Sequence, residues 1–346
     1  MAATQRTARA GGSTRGVSMA DVAAEAGVSQ QTVSRVANGQ PNVNEATRKR
    51  VREAMDRLGF RPNYAGRSLR GGSYRSVGLC VNDITKFGNL TMIDGIAGAA
   101  REHGYAITLL EMSKYEPFSL AEASRKLAAL PVDGMILGMA RMAPDFEEFQ
   151  PLPGLATVIV TMYAHPRCTT VDSDHYGCSI LLMEHLFAHG HTQIRFVGGP
   201  QFSIDEEFRE AGWRDELVRR GIEPADPLYG DWSAKSGYEA GLKLAGDGGA
   251  TAVYAANDQM ALGVIAALRE RGRRVPEDVS VVGVDDSLGD FVPKDELTTV
   301  RLDLRERGRE VFRYAVPKPG EVDPRPAAIR IPGTLVERAT VAAARR

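Results

Sequence analysis

Gln30, Gln31, Thr32, Ser34, Arg35 and Asn38 crowd into one short stretch that also contains Ser29. Amides, hydroxyls and a guanidinium at this density break no bonds; they donate and accept hydrogen bonds. That is the chemistry of reading base edges and holding phosphates in the DNA major groove. Bond-breaking constellations are weak by comparison. Asp285 and Asp286 could form a glycosidase pair, yet adjacency in sequence does not set the separation that two working carboxylates need. His189-Gly-His191 looks metal-like but has no further clustered ligands. The chain has no Gly-x-Ser-x-Gly, no phosphate loop and no His-Glu-x-x-His. The expectation is a protein that is not an enzyme and carries no cofactor and no metal.

The elements that must position these polar groups can be read locally. Met19, Val22, Ala23 and Ala26 form the apolar stripe of a first helix. Gly27 stands where a left-handed residue would end it, and Ser29 where an N-cap would open a second. Thr32 holds the place of Glu or Gln, so a full capping box is absent there. In the second helix Val33, Val36 and Ala37 face inward, leaving Gln30, Gln31, Ser34, Arg35 and Asn38 outside. A third helix should start at Asn44-Glu45 and stop at Gly59. Thr47, Val51, Ala54, Met55 and Leu58 would face inward, with Arg48, Lys49, Arg50 and Arg52 outward. Taken alone, the helices fit any small bundle with a basic surface. The Ala-Gly-Val-Ser turn followed by Gln-Gln-Thr-Val-Ser-Arg is far more restrictive, and is the pattern of a helix-turn-helix.

Charge agrees. The net charge is −1, but residues 1–75 hold 13 Lys+Arg against 5 Asp+Glu, a net of +8. The rest holds 30 against 39, a net of −9. A basic head gains from counterion release on a phosphate backbone; an acidic body does something else. Residues 1–16 lack an apolar core and read as a disordered basic tail rather than a secretory signal. No apolar run reaches the ~18 residues of a membrane span. Cys80, Cys168 and Cys178 have no metal spacing, Cys80 reads as a small buried hydrophobe, and a reducing cytoplasm is the expected location.

From about residue 75 short apolar runs alternate with helical stretches. Strands are expected at 77–81, 106–110, 134–137, 157–160, 194–197, 252–255 and 280–284. Helices are expected at 90–103, 119–130, 176–189, 205–220, 233–245 and 258–271. This is an α/β pattern of two doubly wound parallel sheets, with a ligand cleft beyond the carboxyl ends of the strands.

At this point the chain resembles the LacI/GalR family of transcriptional regulators. The resemblance runs from about Val17 to Val341. It is carried by Asp21–Ser29, Gln31–Val36, Ala211-Gly-Trp213, Gly230–Ala234, Ala256–Gly263 and Ser280–Asp286. It implies a three-helix DNA head over 17–62, a hinge helix and linker over 63–74, and an effector and dimerisation core over 75–346. The core would be of periplasmic-binding-protein type. Its N-subdomain would span about 75–173 plus 304–331 and its C-subdomain about 174–300 plus 332–346, with crossovers near Ser173, Val300 and Pro332.

The resemblance also implies site residues. Gln30 and Gln31 would reach base edges and Arg35 a guanine, while Ser29, Thr32, Ser34 and Asn38 would set register on the backbone. Asn63 and Tyr64 would lie in the hinge, where Leu69 would wedge into the minor groove. Gly66 there, costing about 1 kcal/mol in a helix, suggests a hinge that folds only on the operator. In the core, Arg209 would grip sugar hydroxyls, Asp285 would accept from them, Asn257 would add an amide and Trp232 a flat face for a pyranose. Phe87 and Asp172 are further candidates. Thr161 stands in place of a sugar-binding Asp, Leu302 of a Gln, Gly138 of an Asn and Asp205 of a Ser. The implied function is a homodimeric repressor released from a pseudo-palindromic operator by a sugar or glycoside. Alternatives are purine corepression, or a sugar-binding protein without a DNA role. Residues 338–346 carry no Leu heptads, so a dimer rather than a tetramer is expected.

Overall fold

The structure, a computed structural model, describes residues 17–37, 40–60, 73–112, 119–289, 291–317 and 325–345. The expected tail, Asn38, and the hinge with Asn63, Tyr64 and Leu69 lie outside the described residues. The chain divides into two compact units, residues 1–72 and residues 73–346.

The first unit holds α1 (Met19–Ala26), α2 (Gln30–Ala37) and α3 (Glu45–Leu58). The Ser18 hydroxyl accepts from the Asp21 N–H at 3.3 Å, while the Asp21 carboxylate accepts from the Ser18 N–H at 2.8 Å. This reciprocal box starts α1 and satisfies donors that the first turn leaves over. Gly27, at φ 61°, ends α1 in the left-handed region. Ser29 accepts from the Thr32 N–H at 3.2 Å, and the Thr32 and Ser29 hydroxyls bond each other at 3.0 Å. The cap is therefore one-sided, as the short Thr32 side chain dictates. Val22, Val33 and Val51 are fully buried together, each worth about 1.5–3 kcal/mol of apolar burial. One expectation fails. Arg48 does not project outward; its guanidinium donates to the carbonyls of Gln40 at 2.8 Å and Val43 at 3.4 Å. The turn before α3 leaves those carbonyls without helical donors, and Arg48 supplies them.

The second unit contains two six-stranded sheets. The first lobe holds β1 (Ser76–Val81), α4 (Phe87–His103), β2 (Ala106–Glu111), α5 (Leu120–Ala128), β3 (Gly134–Gly138), β4 (Ala156–Val160) and β5 (Thr169–Ser173). The second holds α6 (His175–Ala188), β6 (Ile194–Gly198), α7 (Ile204–Arg219), β7 (Leu228–Tyr229), α8 (Ala234–Leu244), β8 (Ala252–Ala255), α9 (Asp258–Glu270), β9 (Ser280–Asp285) and β10 (Thr298–Arg301). The chain then returns to the first lobe with α10 (Leu304–Ala315) and β11 (Ala328–Ile331), and to the second with β12 (Thr334–Val336). Strand orders are β11-β5-β4-β3-β1-β2 and β12-β10-β9-β8-β6-β7. All pairs are parallel except β10 with β12.

The sequence explains the layering. β1 (Ser-Val-Gly-Leu-Cys-Val) is buried on both faces, as a central parallel strand must be, whereas β2 at the sheet edge is half-exposed. Cys80, Cys168 and Cys178 are buried free thiols, each pushed up to about 12 by burial. Helices α4 and α10 approach through Gly95 and Gly308. A Cβ on Gly95 would lie 2.2 Å from the Arg305 carbonyl oxygen, and one on Gly308 2.3 Å from that of Met92. Among the described residues no helix is long and apolar enough to cross a membrane.

Candidate functional site

Two surfaces are built for recognition, one in each unit. In the first, Gln30, Gln31 and Arg35 are exposed on α2, while Val33 and Val36 are buried on its opposite face. Ser34 and Thr32 are half-buried, and the Ser29 hydroxyl is occupied by the cap. The free polar edge of α2 is thus two amides and one guanidinium, groups that fit base edges in a major groove.

In the second unit a cleft of about 820 Å³ opens where both sheets end at their carboxyl edges. Its wall takes Asn82 after β1, Gly138 at the end of β3, Asp172 in β5, Trp232 after β7, Asn257 after β8 and Asp285 at the end of β9. Strand polarity explains the convergence: parallel strands deliver all their C-terminal loops to one side.

Arg209, Trp232, Asn257 and Asp285 come together from the second lobe, with Phe87 and Asp172 from the first. Arg209 is 3 % exposed and lies on the cleft face of α7. It donates to the Ala256 carbonyl, to His175 Nδ1 at 3.2 Å and to Asp285 Oδ1 at 3.4 Å. The guanidinium thus ties α7 to α6, to the residue after β8 and to the end of β9. The Trp232 ring lies 5.5 Å from the Arg209 guanidinium. Trp232 has φ 74°, and its indole rests against Gly199, where a Cβ would come within 2.3 Å of the ring. Asn257 is largely committed: Oδ1 caps α9 through the Met260 N–H at 2.9 Å, and Nδ2 donates to the Trp232 carbonyl at 3.0 Å. It positions Trp232 more than it faces the cleft. Phe87 is half-buried and packs onto the second lobe's core.

Asp172 is bound by Arg307, which donates at 2.7 Å and also donates to the Gly88 carbonyl at 3.1 Å. Burial pushes the Asp172 carboxyl up, but Arg307 and His175 outweigh it and hold it at about 2. Asp285 is the opposite case. Burial raises it despite Arg209, whose contact is long, so its charge is incompletely compensated. Arg209 keeps its charge: burial works against it, and Asp285 and Asp205 hold it protonated.

Arg307 and His175 are functional-looking residues that no motif flags. Arg307 sits in the charged run of α10, and His175 directly follows the N-cap Asp174. His175 Nε2 lies 3.3 Å from Asp205 and 3.7 Å from Asp172, a trio resembling a metal site. The Arg209 N–H is aimed at Nδ1; an Nδ1 that accepts leaves the ring proton on Nε2, so the nitrogen facing the carboxylates would donate to them. Gly138, Asp205 and Leu302 line the cleft, whereas Thr161 is fully buried, accepts from the Tyr163 N–H at 3.3 Å and does not line it.

Comparison with known proteins gives the same picture. Residues 18–63 match the profile of the bacterial regulatory proteins of the lacI family, and residues 183–341 match a periplasmic binding protein-like domain. The chain is 32% identical to the lactose operon repressor of Escherichia coli (strain K12), over 85% of this chain and 82% of the relative. The solved lac repressor dimer bound to operator and the anti-inducer ONPF is 30% identical, with a TM-score of 0.77 over 95% of this chain and 100% of that one. The transcriptional regulator CelR in complex with cellobiose is 29% identical, with a TM-score of 0.67 over 94% of this chain and 99% of that one. A reading helix followed by a two-lobed ligand core, over nearly the whole chain, makes this protein a member of the lacI family of transcriptional regulators, with a DNA-binding domain at its head.

Proposed function

We propose that the protein is a repressor that binds a pseudo-palindromic operator as a homodimer and releases it when a sugar or glycoside fills the cleft. The observation that carries this reading is the Arg209–Asp285 pair beside the Trp232 ring. A guanidinium fork suits adjacent hydroxyls, an under-compensated carboxylate takes a hydroxyl hydrogen, and an indole face takes the apolar side of a pyranose. The relatives support it, one solved on operator and another with cellobiose. The proposed organisation is a head over 17–62, a linker over 63–74 and a core from 75 on. Ser29, Gln30, Gln31, Thr32, Ser34, Arg35 and Asn38 touch DNA from the head, with Asn63, Tyr64 and Leu69 following in the linker. In the core, Phe87, Asp172, Arg209, Trp232, Asn257 and Asp285 surround the effector.

The ligand must bind the DNA-free arrangement more tightly, since only differential affinity moves an equilibrium; coupling of about 1–3 kcal/mol is typical. The test is fluorescence anisotropy on a labelled inverted-repeat duplex, titrated with mono- and disaccharides. One of them should release the wild type, and Arg209→Ala should still bind the duplex but no longer respond. A response that survives Arg209→Ala removes the cleft assignment. Release by a purine and by no sugar would replace the ligand class.

A further inference from the structure

Cavities of about 300–1,000 Å³ take ligands of drug size, and the cleft, at about 820 Å³, has room for more than one small ring. Its hydrogen-bonding groups are unevenly spread. Arg209, with Asp285 beside it and Asp205 one turn away on α7, makes one polar centre. Most other polar groups of the wall are spent on the protein itself. Arg307 holds Asp172, and Asn257 is divided between the cap of α9 and the Trp232 carbonyl. Asp83 accepts from the Thr85 N–H at 3.1 Å, and the Asn89 amide donates to the Asp83 carbonyl at 2.7 Å. Asp231 accepts from the Ser233 N–H at 3.0 Å, and the Gln259 amide donates to the Ser287 hydroxyl at 3.0 Å.

Apolar groups behave differently. Among the described residues four large apolar side chains are more than half exposed: Leu90, Phe202, Val218 and Phe291. All except Val218 line the cleft. Leu90 comes from the first turn of α4, Phe202 from the turn between β6 and α7, and Phe291 from the segment after β9. Apolar side chains left in water around one cavity mark a surface kept for a ligand. Phe202 continues the proposed sugar platform. It sits in the turn over 199–203, closed by the Ser203 N–H on the Pro200 carbonyl at 2.8 Å, and the Trp232 indole rests against Gly199 of that turn. The Arg141 guanidinium, from the first lobe, lies 4.2 Å from the Phe202 ring.

We propose that the cleft selects an aryl glycoside, a sugar carrying an aromatic aglycone, over a free mono- or disaccharide; this deepens the sugar reading above and rests on it. The pyranose takes Arg209, Asp285 and Trp232. The aglycone packs on Phe202, and Leu90 and Phe291 complete the apolar wall. A second sugar in that place would bring hydroxyls to groups that already have partners, and a hydroxyl that gives up water for no partner costs free energy. An aryl ring has no such groups to lose and stacks on phenylalanine at an offset or edge-on.

The experiment is calorimetric titration of the full chain with methyl and phenyl glycosides, α and β, of glucose, galactose and mannose, with cellobiose and lactose as disaccharide comparisons. For the sugar that binds, the phenyl glycoside should bind about tenfold more tightly than its methyl counterpart and than either disaccharide. Phe202→Ala and Leu90→Ala truncate exposed side chains and leave the core intact. Each should cut the phenyl advantage, Phe202→Ala by about fivefold, while methyl glycoside affinity stays as in the wild type. Equal affinity for phenyl and methyl glycosides, tighter binding of a disaccharide, or a phenyl advantage undiminished in both variants would each overturn the aglycone site and leave the sugar reading standing. Binding of no glycoside or disaccharide at all would overturn both.

Discussion

Asp258 shows how much one buried carboxyl can report. It is fully buried at the start of α9, and accepts from the Ser287 N–H at 2.7 Å and the Thr299 hydroxyl at 2.6 Å. Burial and the nearby Asp285 charge push it up to about 8 despite those bonds. A folded-state pKa raised above the unfolded value favours folding most at pH below the unfolded pKa, and this advantage is lost as pH rises through about 8. The nearly isosteric Asp258→Asn should therefore gain on the wild type between pH 5 and 8, roughly, in parallel thermal melts. A difference in Tm that does not vary with pH would show that Asp258 keeps a single protonation state. At Gly199, where the Trp232 indole occupies the space of a Cβ, Gly199→Ala should displace the ring. Under the proposed function, release of operator by the cleft ligand should then weaken while duplex affinity is kept, a split that anisotropy reads directly.

At the level of elements, packing depends on a few close approaches and caps. Gly95→Val places a side chain into the Arg305 backbone and should cost about 1–3 kcal/mol, read from urea unfolding. Asp145 accepts from the Leu120 N–H at 3.0 Å, the Ala121 N–H at 2.9 Å and the Ser119 hydroxyl at 2.9 Å, so it caps α5 from outside the helix. Asp145→Ala should cost about 1–2 kcal/mol in the same assay. Periodicity exposes the apolar strands and the amphipathic helices to within a few residues. It passes over β5 and β10, which read Thr-Thr-Val-Asp-Ser and Thr-Thr-Val-Arg. Their buried threonines look like loop residues until their partners are known. The Thr299 hydroxyl donates to Asp258 and the Thr298 hydroxyl accepts from the Arg338 N–H at 3.0 Å, a pairing across distant sequence that no local window contains. Helix α10 is hidden by its charge for a similar reason, since Arg307 is buried only because Asp172 lies opposite. In the cleft Arg209, Trp232 and Asp285 are legible through resemblance, whereas His175 and Arg307 become visible only as members of a network.

Over the whole molecule, charge is segregated by sequence: a net of +8 over residues 1–75 and −9 over the rest. Binding to duplex DNA should fall steeply between about 50 and 200 mM salt. Lys49→Ala, on the exposed face of α3, should lower affinity for all sequences alike and reduce the salt slope by about 1 if that lysine meets a phosphate. Arg35→Ala should instead relax preference at one base position.

The interleaving of the two lobes has a further consequence during synthesis. The first lobe waits for α10 and β11, and the second for β12 and the segment where the Val281 N–H donates to the Thr340 carbonyl and the Ala344 N–H to that of His189. Neither can close until residues 328–344 have been translated. The three-helix head takes its described contacts from residues 17–60 alone, so it can fold while the polypeptide is still tethered to the ribosome. The newborn chain thus completes its nucleic-acid-binding head well before the two lobes that enclose the cleft.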